Sequence, residues 1–311
     1  MANLKELSKN PEHLTGGHRL CAGCGAGIMA RQAMIAVGNT PVVVTSATGC
    51  LEVSTTVFPY TAWKNSFFHS AFENSAATCS GIEAAYKSLK KQGKIKDDIR
   101  FIAFGGDGGT YDIGLQSLSG AMERGHRMLY ICYNNEAYMN TGIQRSGATP
   151  RGATTTTAPD GKAKHGKEQS RKDLTAIIAA HNIPYVAQSY IGNWNDFITK
   201  VQKALAVDGP TFINVFTPCR LGWNYNPEET MNLARLAIET CIWSSYEIEN
   251  GVYKINVKPK EKKPVTEFLK LQGRFKHLFK PENAGVIEEI QKEVDRNWEF
   301  LNKRAAENNQ A

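Results

Sequence analysis

Two apolar runs in the middle of the chain end in unlike turns, and their spacing constrains the fold more than any other feature. Residues 99–105 (Ile-Arg-Phe-Ile-Ala-Phe-Gly) run into Gly106-Asp107-Gly108, and residues 127–133 (Arg-Met-Leu-Tyr-Ile-Cys-Tyr) run into Asn134-Asn135. Short apolar runs bounded by turn residues read as buried strands. Between them Ile113, Leu115, Leu118, Ala121 and Met122 recur at helical spacing, and Gly125 stops a helix over 112–125. Strand, helix, strand is the crossover unit of a parallel sheet. Both turns then fall at the carboxyl edge of that sheet, where open α/β folds bind ligands. A carboxylate on one strand end and a side-chain amide on the next can hold a small hard cation against a diphosphate. Mg²⁺ takes octahedral oxygen ligation, commonly one or two protein groups completed by phosphate and water. The glycines beside Asp107 let backbone N–H groups approach phosphate oxygens. Gly-Asp-Gly alone is an ordinary turn and Asn-Asn an ordinary strand end; the weight lies in the pair on neighbouring strands.

The remaining pattern extends the same architecture. Residues 42–45, 185–190 and 211–216 read as strands, and 173–181 and 194–205 as helices, giving an α/β fold with a doubly wound, mostly parallel sheet. Residues 149–171 are polar and rich in Thr, Gly and Lys, a long excursion that suits a lid or a subunit contact. Residues 227–245 read as a helix, and 246–257 alternate around Asn250-Gly251, a strong hairpin signal. Segments 264–275 and 284–306 are mostly helical, followed by an exposed tail. The expected division is 1–225 for cofactor binding and 226–311 for a C-terminal hairpin and helical extension that meets a partner.

The seven cysteines need a compartment before they can be interpreted. The first ten residues carry no apolar core for export, and no apolar run approaches transmembrane length. A cytoplasmic protein without membrane association is expected, so the cysteines read as ligands or buried thiols rather than disulfides. Net charge is 37 − 30 = +7, with a dense cluster at 254–263. That cluster reads as a solvated linker, with docking of an acidic protein such as ferredoxin as the alternative; no recognition fold for nucleic acid accompanies it. Cys21-Ala-Gly-Cys24 is a C-x-x-C, Cys50 lies just past the strand at 42–45, and Cys219 just past 211–216. Four such thiolates suit a [4Fe–4S] cluster or a structural zinc, and C-x-x-C alone also suits a redox dithiol. Spacing does not separate iron from zinc; a position beside a redox centre favours iron. Cys79, Cys132 and Cys241 read as buried small hydrophobes.

Taken together, the segments at 21–25, 105–114, 134–150, 218–219 and 268–275 resemble the β subunit of the 2-oxoacid:ferredoxin oxidoreductases, the pyruvate and oxalate oxidoreductase group, over nearly the whole chain. The resemblance implies a thiamine-diphosphate-binding fold and an enzyme working as one subunit of a complex. It implies Mg²⁺ on Asp107, Asn135 and the Ala137 carbonyl. Asn140, Thr141 and the backbone at Gly108 and Gly109 would hold the diphosphate, and Gly49 and Cys50 would line the thiamine pocket. One [4Fe–4S] cluster would sit on Cys21, Cys24, Cys50 and Cys219 and pass electrons towards ferredoxin through other subunits.

The resemblance also exposes a gap. Thiamine enzymes activate the cofactor through a Glu, which in this family comes from the partner subunit. Glu52, Glu73 and Glu136 sit in no activating motif and read as structural or surface residues. Arg220, Asn224 and His69 make the segments around them more polar than in pyruvate-type relatives. Arg220 reads equally as surface decoration or as a positive charge favouring oxalate, which needs no coenzyme A; His69 reads as structural. Pyruvate or oxalate is therefore the expected substrate. The alternatives are a non-oxidative thiamine decarboxylase with a structural zinc on the four cysteines, and a non-catalytic electron-transfer subunit.

Overall fold

The computed structural model describes residues 3–307. One sheet organises them, with strands β1 (Val42–Ala47), β2 (Ser66–Ser70), β3 (Arg100–Gly106), β4 (Leu129–Asn134), β5 (Tyr185–Tyr190), β6 (Thr211–Phe216), β7 (Ser245–Glu249) and β8 (Val252–Val257). Their order is β2-β1-β3-β4-β6-β5-β7-β8. The six strands from β2 to β5 are mutually parallel, and β7 and β8 are added antiparallel. The expected crossover unit is present: Gly106 of β3 lies opposite Tyr133 of β4, so Asp107 and Asn134 leave the same edge side by side.

Strand alternation divides the core in two. Ile102, Phe104, Leu129, Ile131 and Tyr133 face one cluster, with buried residues of helices Gly25–Val37, Trp194–Ala206 and Thr230–Glu239. Phe101, Ala103, Tyr130 and Cys132 face the other, with helices Ser75–Lys91, Leu115–Glu123 and Leu174–Ala179. Central strands buried on both faces explain why β3, β4 and β6 are mostly apolar instead of alternating. No helix among the described residues is long and apolar enough to cross a membrane.

The structure corrects four sequence readings. The helix expected over 112–125 is two pieces, a π-helical turn Gly108–Ile113 and an α-helix Leu115–Glu123. Lys172 Nζ donates to the Tyr111 carbonyl inside that widened turn, a form that recurs at functional sites. The helix expected over 227–245 ends at Glu239, because Cys241 takes a left-handed φ of 58° just after it. The hairpin signal around Asn250-Gly251 is right, but β7 pairs with β5 and so extends the main sheet. Residues 264–275 form only Thr266–Leu269 and the start of a 3-10 turn, Gly273–Phe279, because burying Phe268, Leu269, Phe275 and Leu278 overrides helical period.

The excursion at 149–171 is packed down. Buried Lys167 donates from Nζ to the Thr149 carbonyl at 2.5 Å, and Thr154 N donates to the Arg274 carbonyl at 3.0 Å. Burial lowers the Lys167 ammonium to about 8. The C-terminal helix runs Ala284–Glu307; the tail expected after it lies outside the described residues.

Candidate functional site

Asp107 closes β3 and is fully buried. Ser146 Oγ donates to its Oδ2 at 2.5 Å, and the Asn135 backbone N–H donates to its Oδ1 at 3.2 Å. Burial pushes its carboxyl up to about 7, against the pull of those donors. A buried carboxylate with two hydrogen bonds and no cation is electrostatically incomplete.

What lies beside Asp107 supplies the rest of a cation site. The Asn135 side-chain atom facing inward stands 2.9 Å from the Ala137 carbonyl oxygen and 2.8 Å from Asp107 Oδ1. As an amide nitrogen it would donate to both. As the amide oxygen it completes three oxygens turned on one another, and adjacent ligands of an octahedral Mg²⁺ at about 2.1 Å stand about 3 Å apart. The two separations from Asn135, and the oxygen donors themselves, fit Mg²⁺.

Glu136 makes this turn possible. It holds a left-handed φ of 67° between Asn135 and Ala137, a conformation costing a non-glycine residue about 1–2 kcal/mol. Its side chain points away into the protein, fully buried, where Arg171 takes one carboxylate oxygen and Arg274 Nη2 the other at 2.5 Å. Arg274 lies over the Trp223 ring, 3.9 Å from its centroid, and Trp223 Nε1 donates back to the Asn135 carbonyl at 2.8 Å. Thr149 Oγ1 donates to the Glu136 carbonyl at 2.6 Å. The turn carrying Asn135 and Ala137 is thus tied at both its backbone and its one charged side chain.

A pocket opens directly in front of this turn. Gly49, Cys50, Gly108, Gly109, Asn135, Ala137, Asn140 and Thr141 all line it, and Asp107 lies behind its wall. Thr48, Phe72, Tyr133, Tyr138 and Met139 also line it, and sequence reasoning missed all five. Tyr138 and Met139 sit inside the 134–150 segment already singled out, so position alone offered a signal. Tyr133 read only as the apolar end of a strand. A Cβ on Gly108 would strike the Tyr138 ring, so glycine there keeps the floor of the pocket at backbone level.

The four predicted cysteines come together on the Tyr133 side of the sheet. Cys24 caps the helix Gly25–Val37, Cys50 heads Cys50–Thr55, and Cys219 caps Arg220–Trp223. Burial pushes the Cys50 thiol up to about 12, with the neighbouring Cys219, Cys24 and Cys21 adding to the rise. Burial likewise raises Cys219 to about 11, while backbone N–H groups of Gly222 and Leu221 oppose it. Cys24 is raised by burial and opposed by the N–H groups of Gly27 and Ala26. All seven cysteines are free thiols, and Cys79, Cys132 and Cys241 are buried elsewhere as expected. Cys21 is exposed and Cys24, Cys50 and Cys219 are half-buried; thiols gathered this way, two of them receiving backbone N–H groups, are the donor chemistry of a thiolate-ligated centre. Among the described residues no three His, Cys, Asp or Glu side chains are close enough to hold a single metal ion.

The other candidates lie outside this chemistry. Glu136 is structural, as read. Glu52 is buried, accepting from Thr56 Oγ1 at 2.8 Å, with its second oxygen 3.5 Å from His69 Nε2. His69 is half-exposed and meets Thr48 Oγ1 at 2.6 Å. Neither Glu73 nor Arg220 lines the pocket.

A family model described as the thiamine pyrophosphate enzyme C-terminal TPP-binding domain matches residues 47–215, the span that carries this geometry. The chain is 54% identical to the pyruvate synthase subunit PorB of Thermotoga maritima over 96% of its length and 93% of that protein's. It is 55% identical to the PorB of Methanocaldococcus jannaschii over 93% of its length and 96% of the relative's. A ketoisovalerate oxidoreductase subunit VorB of Pyrococcus abyssi is 46% identical over 94% of both chains. Among solved structures, the 2-oxoglutarate:ferredoxin oxidoreductase of Magnetococcus marinus shares the fold at TM-score 0.55 and 21% identity, covering 73% of this chain and 80% of that one.

Proposed function

The chain belongs to the 2-oxoacid:ferredoxin oxidoreductases, thiamine-diphosphate enzymes, as a β subunit, and from that premise we propose pyruvate as its substrate and one Mg²⁺ and one [4Fe–4S] cluster as its metals. The observation that carries the metal assignment is the inward atom of the Asn135 side chain, which stands 2.9 Å from the Ala137 carbonyl oxygen and 2.8 Å from Asp107 Oδ1. Pyruvate rests on the match to PorB proteins along nearly their whole length.

Thiamine diphosphate, when bound, supplies the carbon nucleophile and electron sink for decarboxylating a 2-oxo acid. The protein's part is placement. Asp107, Asn135 and the Ala137 carbonyl hold the cation that neutralises the diphosphate, and Gly108, Gly109, Asn140 and Thr141 offer the adjoining wall. Cys21, Cys24, Cys50 and Cys219 would hold the cluster, whose chemistry is one-electron transfer. A cluster is preferred to a structural zinc because the four thiols gather beside the proposed site of a redox cofactor.

The activating carboxylate comes from a partner subunit in this reading. Glu136 is committed to two arginines, Glu52 accepts from Thr56 through one oxygen and does not line the pocket, and Glu73 lies off the pocket. Further clusters lie on other subunits, ferredoxin is the final acceptor, and coenzyme A takes the acyl group. Residues 1–225 carry the cofactors, and 226–311 supply a partner contact. The assembly works in the cytoplasm, where free thiols persist. Oxalate loses its support, because Arg220 does not line the pocket.

Two experiments test this. Asp107→Ala removes one of the three oxygens and abolishes Mg²⁺-dependent thiamine diphosphate binding; wild-type affinity in that variant defeats the assignment. The complex purified without oxygen reduces ferredoxin with pyruvate and coenzyme A. Reduction with oxalate alone, independent of coenzyme A, displaces pyruvate.

A further inference from the structure

Tyr133 carries a hydroxyl that no described residue uses. The residue is the last but one of β4, and its ring belongs to the core against which Cys24 and Cys219 pack. The hydroxyl is buried and has no hydrogen-bond partner among the described residues. It does not donate to the Cys50 sulfur, although the two are close enough for a Cys50 thiolate to disfavour ionisation of the phenol. Two close neighbours are backbones that lack side chains, Gly49 and Gly106. A Cβ on Gly49 would collide with the hydroxyl, and one on Gly106 would stand 3.3 Å from it. Both glycines, and Tyr133 itself, line the cofactor pocket.

A buried phenol without a partner is a desolvated donor, and phenylalanine would fill the same space without that loss. Burial is also the first cause of its raised pKa, so the group stays protonated across the working range and can only be a neutral donor or acceptor. The open direction is the pocket. We propose that Tyr133 is a cofactor-positioning residue whose hydroxyl donates a hydrogen bond to thiamine diphosphate in the wall between the pocket and the thiols. This rests on the reading of the pocket as a thiamine site. The cofactor offers acceptors of two kinds, diphosphate oxygens and ring nitrogens, and the hydroxyl lies beside the pocket-lining Gly49 and Gly106.

The test is Tyr133→Phe in the assembled complex, read by calorimetric titration with Mg²⁺ and either thiamine diphosphate or inorganic pyrophosphate, and by thermal unfolding without cofactor. Cofactor affinity falls about fivefold to tenfold, the scale of one neutral hydrogen bond. Without cofactor the variant melts at or above the wild-type temperature, which a structurally bonded hydroxyl would not allow. Loss for both ligands places the acceptor on the diphosphate; loss for thiamine diphosphate alone places it on the rings. Unchanged cofactor affinity overturns the proposal, as does a cofactor-free melting temperature lowered in step with affinity. Asp107→Ala separates the two readings: if it abolishes binding while Tyr133→Phe leaves it intact, only the tyrosine assignment fails.

Discussion

Removing Arg274 tests whether the metal-ligand turn is held by buried charge. Glu136 has no exposed side-chain surface, Arg274 keeps 3% and Arg171 16%. Breaking a buried ion pair from one side costs about 3–5 kcal/mol, because the remaining charge stays desolvated. Arg274→Met leaves Arg171 on Glu136 and keeps some packing over Trp223, so the lower end, about 3 kcal/mol, applies. At about 2.1 cal/mol/K of unfolding entropy per residue, 311 residues give about 0.65 kcal/mol/K, and the melting temperature drops by about 5 °C. Arg171→Met costs less, since its guanidinium is partly hydrated. The double variant Glu136→Met/Arg274→Met removes both charges and loses less than the sum of the singles by at least about 1.5 kcal/mol. Calorimetric unfolding of the four proteins measures the cycle. A shift under about 1 °C for Arg274→Met, or strict additivity, would refute the reasoning.

Three other outcomes are expected. Burial raises the Asp107 carboxyl to about 7 from an ordinary 3.8, so its stabilising protonated form is full below about pH 4 and lost as pH rises through about 7. Metal needs the carboxylate, so Mg²⁺-dependent cofactor affinity weakens up to about tenfold per unit below pH 7 and is flat above; affinity unchanged between about pH 6 and about pH 8 in a calorimetric titration contradicts this. Cys219→Ser removes one of four sulfurs, and the visible absorption of the cluster bleaches along with ferredoxin reduction; a colourless wild-type protein carrying zinc would support the decarboxylase instead. Gly49→Ala destabilises the protein through its collision with the Tyr133 hydroxyl, and adding Tyr133→Phe restores much of the loss, because the ring carbon behind that oxygen lies 3.6 Å from the new Cβ. Chemical denaturation of the two variants checks the rescue.

Much of the site was legible because its parts are local. Gly106-Asp107-Gly108 and Asn134-Asn135 each end an apolar run, and parallel pairing of adjacent strands leaves them little choice but to meet. Cys50 and Cys219 were placed by the same logic, as residues just beyond strands that share an edge. Boundaries failed where packing overrode period: the helix after Gly108 widened into a π turn, and 264–275 followed the core instead of a helical face. The C-terminal hairpin was found by its Asn250-Gly251 turn, yet nothing local says which strand it will join.

By itself, then, the sequence determined the sheet, the strand ends that meet at the pocket and the inventory of thiols, because periodicity and turn chemistry act over a few residues. Only the tertiary structure decided what holds them. Arg171 and Arg274 reach Glu136 from 35 and 138 residues away, and Tyr133 lies across from Gly49, a residue of another strand's end. Such partners are chosen by where the folded backbone brings side chains together, and a desolvated charge or an unused hydroxyl exists only once the water has been excluded.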